Sequence, residues 1–184
     1  MNHFANFGLK ENRVTAPAVD VGTGFKAKIN LTNASLNLSL SGTNVISYTP
    51  SDAAAQIYVF ERQTNGSYKL TNTTTGQVLA VSGDSKTSGA NVLIENSDNS
   101  NGQRWYIYEY SSGVYMLRPV CATGLVLSVA SSSTASMANV QVDTHTGAAG
   151  QKFTITKVAD VAGLEPVNVG DNFYAKIGSA LVNK

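Results

Sequence analysis

Three glutamines recur at fixed places. Gln56, Gln103 and Gln151 are each followed two residues later by an aromatic: Tyr58, Trp105 and Phe153. A primary amide offers two donors and one acceptor, which suits it to hold a turn or to grip a ligand. A glutamine fixed in every copy reads as a buried amide satisfying turn backbone. Asn44, Asn91 and Asn139, each followed by valine, recur at steps of 47 and 48. They read as turn residues before strands. The aromatics read as core.

Other reactive side chains show no constellation. A glycosidase needs two positioned carboxylates. The 12 Asp and Glu residues occupy no repeated or paired place that supplies them. Asp52, Asp84, Glu95, Asp98 and Asp143 fall in loops or near strand ends. His145 reads as a solvated loop residue, and Cys121 as a small packed hydrophobe. One cysteine excludes an intrachain disulfide and a cysteine-rich zinc site. Nucleophile-elbow, zinc-protease, phosphate-loop and dinucleotide motifs are absent. The expectation is a non-enzyme with no cofactor and no metal.

The elements that position these residues are repeats. Each Asn-Val pair precedes its glutamine by the same interval: the glutamine comes eleven positions after the valine in all three copies. Gly66, Tyr68 and Leu70 match Gly113, Tyr115 and Leu117, while Leu79 and Val81 match Leu127 and Val129. In the first copy Phe25, Leu36 and Leu38 are aligned with Tyr68, Leu79 and Val81. That alignment makes the first copy shorter by four residues, in the loop before Asn44. Short β-branched and aromatic runs alternate with Gly, Asn, Ser and Thr clusters, as in strands joined by turns. No dozen residues carry a clean helical period, and residues 51–55 offer one helical turn at most. The expectation is an all-β domain of about twelve short strands. Its three copies close around a pseudo-threefold axis and bury the exposed sheet edges.

The chain divides as a leader at 1–16, a repeated domain at 17–158 (copies 17–64, 65–111 and 112–158) and a linker at 159–170. The last stretch, 171–184, is read as the start of a second similar module. This rests on residues 19–29 and 167–177, which agree at seven of eleven positions. The expectation is a piece of a larger multidomain protein.

Composition narrows the partners. Of the 184 residues, 14% are charged, and 13 basic against 12 acidic side chains leave a net charge of +1. No basic excess serves nucleic acid or an anionic membrane, and no apolar run spans a bilayer. The first eight residues lack the basic front and apolar length of a signal peptide.

Three Gln-x-aromatic copies, each with Asn-Val and a Gly-x-Leu-x-Val stretch upstream, resemble the ricin-B-type β-trefoil lectins and bacterial carbohydrate-binding modules. The resemblance covers about 140 residues and implies a β-trefoil. It also implies a glycan or polysaccharide partner, neighbouring domains in a parent chain, and an extracellular or cell-surface setting. The family's sugar site pairs an Asp in a Leu-Asp-Val stretch with a later stacking aromatic and an amide before the glutamine. Carried over, the Asp position holds Asn37, Ala80 and Ser128. The aromatic position holds Tyr48, Glu95 and Asp143, and the amide position holds Ala55, Gly102 and Gly150. Asn37 and Tyr48 of the first copy are the leading sugar-binding candidates. Glu95, Asp98, Asn101, Asp143 and His145 are weaker ones. The alternative is a structural or protein-interaction trefoil that has lost sugar binding.

Overall fold

The computed structural model describes residues 17–161. The leader at 1–16, most of the expected linker and the segment 171–184 lie outside the described residues.

Alternation of apolar and polar residues makes the strands. In Phe25–Leu31 every second side chain is buried, the period of a pleated strand with one wet face. The first copy forms β1 (Phe25–Leu31), β2 (Asn37–Ser41), β3 (Asn44–Tyr48) and β4 (Tyr58–Arg62). The second forms β5 (Tyr68–Asn72), β6 (Val78–Val81), β7 (Ala90–Glu95) and β8 (Trp105–Ser111). The third forms β9 (Val114–Pro119), β10 (Leu125–Val129), β11 (Val140–Thr144) and β12 (Phe153–Asp160). The last strand thus runs two residues into the expected linker. The helical turn expected at 51–55 is a 3-10 turn at Ala54–Gln56.

Six strands close a barrel. β1 pairs with β4, β4 with β5, β5 with β8, β8 with β9, β9 with β12, and β12 with β1. Closure leaves these strands no free edge. The remaining six strands form three hairpins, β2–β3, β6–β7 and β10–β11. They meet through β3–β7, β7–β11 and a bridge between Ile46 and Asn139. A six-stranded barrel with three hairpins is the β-trefoil. Tyr58, Trp105 and Phe153 are fully buried in one core with Ile29, Phe60, Leu70, Ile107 and Leu117. Trp105 donates its ring N–H to Leu79 O at 2.9 Å, so its one polar atom is not stranded.

The pairing corrects the alignment of the first copy. Opposite Tyr58, Trp105 and Phe153 stand Ala27, Tyr68 and Tyr115. Opposite Ser47, Ile94 and Val142 stand Leu38, Leu79 and Leu127. Leu38 lies six residues before Asn44, whereas Leu79 and Leu127 lie twelve before Asn91 and Asn139. The first copy therefore lacks six residues rather than four, and its hairpin turns through Gly42 and Thr43 alone. The two registers differ by two residues, a shift that returns every side chain to the same face of the strand. Alternation is blind to such a slip.

The asparagines also differ from expectation. Asn44 and Asn91 lie in strands, and Asn139 lies in the bridge to Ile46. Asn91 donates its amide to Asn44 Oδ1 at 2.8 Å, and Asn44 donates to Asn139 Oδ1 at 3.0 Å. Three equivalent residues can touch only near the pseudo-threefold axis. Their amides tie the three hairpins together there.

Candidate functional site

In each copy the third strand runs into a loop that ends in a 3-10 turn. These turns are Ala54–Gln56, Asn101–Gln103 and Ala149–Gln151. The closing glutamine points inward and is at most 2% exposed in every copy. Gln56 Oε1 accepts the Ser51 N–H at 2.9 Å, and its Nε2 donates to Thr49 O at 2.7 Å. Gln103 accepts the N–H groups of Asp98 and Asn99 and donates to Asn96 O. Gln151 accepts those of Thr146 and Gly147 and donates to Thr144 O. Each amide satisfies its own loop backbone, so the glutamines are scaffold.

The three loops carry different chemistry. In the third copy an open pocket of about 320 Å³ is lined by Ser128, Ser132, Asp143, Thr146 and Gln151, with Ser88 reaching in from the second copy. Asp143 accepts from Gln141 Nε2 at 2.9 and 3.1 Å and from Ser88 Oγ at 3.4 Å. Ser88 in turn accepts the Thr144 N–H at 3.1 Å. The result is one carboxylate among hydroxyls, a surface made for hydroxyl donors.

The second copy is more self-contained. Glu95 Oε1 takes Gln103 Nε2 at 3.0 Å. Asp98 Oδ1 takes the Ser100 N–H at 2.8 Å within its own turn, and Asn101 is exposed. Asp84 Oδ1 accepts the Gly102 N–H at 2.7 Å and would lie 2.2 Å from any Cβ there. Asp84 therefore fills the space that a side chain before the glutamine would use.

In the first copy Tyr48 is 43% exposed, as its proposed role requires, but Asn37 is 2% exposed. Asn37 Oδ1 accepts Asn30 Nδ2 at 2.9 Å, and its Nδ2 donates to Gln56 Oε1 at 3.0 Å. The corrected register puts Ser39, not Asn37, level with Ala80 and Ser128. Asn37 is an internal strut behind Tyr48, its pairing partner across the hairpin.

His145 is not solvated. It is 3% exposed, and neither ring nitrogen meets a protein partner. Burial holds its pKa below the ordinary histidine value, and Lys152 adds to that. The chain turns its ring inward directly after β11. Cys121 is half-buried against the core, its thiol pushed up by burial and then by Asp84.

Each loop is flanked by the preceding copy's hairpin. The Gly89 N–H donates to Val142 O at 2.8 Å, and the Met137 N–H to Ser47 O at 2.7 Å. The Ile94 N–H donates to Thr43 O at 2.9 Å. Sequence reasoning missed these seams and with them Ser88; it also missed Ser132 and left Asp84 a plain loop acid, although each reaches the glycine of its own copy. The visible signal was the matched spacing of Ser88-Gly89 and Ser136-Met137. A larger cavity, about 480 Å³, opens between residues 19–23 and the outward end of β12. It joins none of the three repeated positions. Among the described residues no three metal-ligating side chains converge.

Solved structures with this fold include the designed threefold-symmetric protein ThreeFoil. It is 26% identical, with a TM-score of 0.69, over 72% of this chain and 99% of that one. A ricin B-like lectin from Macrolepiota procera, solved with lactose, is 21% identical with a TM-score of 0.67, covering 76% of this chain and all of its own. An exo-beta-1,3-galactanase from Clostridium thermocellum is 19% identical with a TM-score of 0.68. There the match covers 77% of this chain but only 31% of the enzyme. No curated protein sequence matches. The family model for the ricin-type beta-trefoil lectin domain-like proteins matches at residues 19–95, 54–122 and 101–179. Those matches take in all three copies, and the chain belongs to that family.

Proposed function

We propose that this chain is a non-catalytic glycan-binding trefoil, one module of a larger secreted protein. Its main site is the third-copy pocket, where Asp143 accepts sugar hydroxyls between Ser88, Ser128 and Thr146. Tyr48 of the first copy offers a second, stacking site. The observation that carries this reading is the open, hydroxyl-lined pocket holding one carboxylate, Asp143, at the place of the family's stacking aromatic and beside Ser128 at the place of its Asp. The lactose held by the Macrolepiota procera lectin and the galactanase joined to a similar trefoil support it. Sites of this kind bind weakly alone and gain by multivalency. Calorimetric titration with lactose, xylan oligosaccharides and mucin glycans tests it. Binding that weakens in Asp143→Ala supports it, and binding untouched by both Asp143→Ala and Tyr48→Ala rules out the site assignment.

A second reading, a structural or protein-interaction trefoil, is favoured by Asp84 and Asn37. Asp84 spends its carboxylate on the Gly102 N–H and Asn37 its amide on Gln56, so both serve the scaffold. A folded chain that binds no glycan in the panel selects this reading.

A further inference from the structure

We infer that Met137 of the third copy forms the second wall of the Tyr48 site, so that a pyranose ring is held between side chains of two different copies. This rests on the glycan-binding reading and extends it.

The first observation is conformational. Met137 has φ of 70°, in the left-handed region. An unbranched but bulky side chain is disfavoured there by roughly 1–2 kcal/mol. The equivalent residue in the second copy is Gly89, at φ of 87°, where glycine meets no such penalty. The two make the same seam contact, Gly89 N–H to Val142 O and Met137 N–H to Ser47 O. The backbone thus needs only a glycine, and the third copy departs from it.

The second observation is exposure. Among the described residues the exposed large apolar side chains are Tyr48, Met137 and Val158, with Met137 the most open at 57%. Two of the three lie along one seam, where the Met137 N–H donates to the carbonyl of Ser47, the neighbour of Tyr48. Ser47, next to Tyr48, is clamped on both sides by the Met137 loop: its N–H donates to Ala138 O at 2.9 Å and its Oγ to Ala135 O at 3.0 Å. A strained, solvent-facing methionine adds nothing to the core. Backbone strain that persists beside a candidate site points to use.

The chemistry fits one occupant. Tyr48 presents a flat ring, and Met137 a flexible, polarisable thioether that adapts to irregular surfaces. Together they suit the C–H face of a pyranose, while the sugar hydroxyls stay toward water. The equivalent seam on the third-copy pocket presents Ser88 to Asp143, so that pocket prefers hydroxyls and this one prefers a ring face.

The test uses the full chain labelled with 13C at its methionine methyls. Three methionines give three signals, and Met116 is fully buried as an internal control. Lactose, xylobiose and diacetylchitobiose are titrated in turn to tens of millimolar. The Met137 methyl should shift with a bound sugar while Met116 stays. Met137→Gly should weaken that binding about two- to tenfold. It should also raise the melting temperature by about 2–4 °C, which removes unfolding as an explanation. A Met137 methyl that stays still while Tyr48→Ala abolishes binding overturns the inference and leaves the glycan reading standing. Binding lost only in Asp143→Ala does the same. No binding by any of the three sugars overturns both.

Discussion

The second and third copies have hairpin loops of equal length and the same glycine before the glutamine, yet they treat that glycine differently. Asp84 and Ser132 occupy equivalent places, both at φ of 51°. Asp84 reaches Gly102 with a carboxylate oxygen, and Ser132 reaches Gly150 with a hydroxyl at 3.1 Å. Across the loop, Glu95 is long enough to meet Gln103, while Asp143 turns to Gln141 and Ser88 instead. One backbone therefore carries one loop whose acids serve its own amides and one whose acid lines an open pocket. The trefoil conserves the platform, and a methylene or a carboxylate decides what the platform offers.

The platform should fail alike in both copies. Gln103→Ala and Gln151→Ala each strand several loop N–H and C=O groups. Each should cost about 2–4 kcal/mol in urea unfolding, since an orphaned buried polar group costs about 1–3 kcal/mol. A cost well below 1 kcal/mol for either would show that its loop does not depend on the amide. The glycines should separate the copies. A Cβ at Gly150 would stand 2.7 Å from Ser132 Cα and 2.9 Å from Val129 O, both backbone. Gly150→Ala should cost about 1–3 kcal/mol. Gly102→Ala should cost less, because the closest atom there is a side-chain oxygen of Asp84 that can rotate away. Equal costs would break the comparison.

Much of the platform is legible in the sequence. Trp105 and its partners announce the copies, and alternation in Phe25–Leu31 announces a strand. Alternation gives register only modulo two and is blind to a slip of two, so Asn37 is placed at a sugar position that belongs to Ser39. The asparagine cluster is hidden because it joins residues of three copies through the axis. The pocket is hidden because Ser88 and Ser132 enter it from loops whose left-handed turns leave little local signature. His145 has no sequence neighbour that signals burial.

A smaller effect sharpens the same comparison. Where the second copy has Ser97, the third has buried His145. Its folded pKa lies below the unfolded value of about 6.5. Above about 6.5 both states are neutral there, and no stability is lost. As pH falls below that value the unfolded chain takes up the proton first, so stability declines until the folded histidine also titrates. Melting temperature should fall more on going from pH 7.5 to pH 5 in the native chain than in His145→Gln, because the buried neutral histidine loses its stability to acid. Parallel curves would show that His145 does not govern the acid response.

The central claim is that the third-copy loop binds glycan and the second does not. Amide chemical shifts of the 15N-labelled chain, followed during a lactose titration, report both loops at once. The expected result is movement at Ser128, Ser132 and Asp143 through Gln151, with Glu95 through Gln103 unmoved. Movement confined to Glu95, Asp98 and Asn101, or none in either loop, would contradict it.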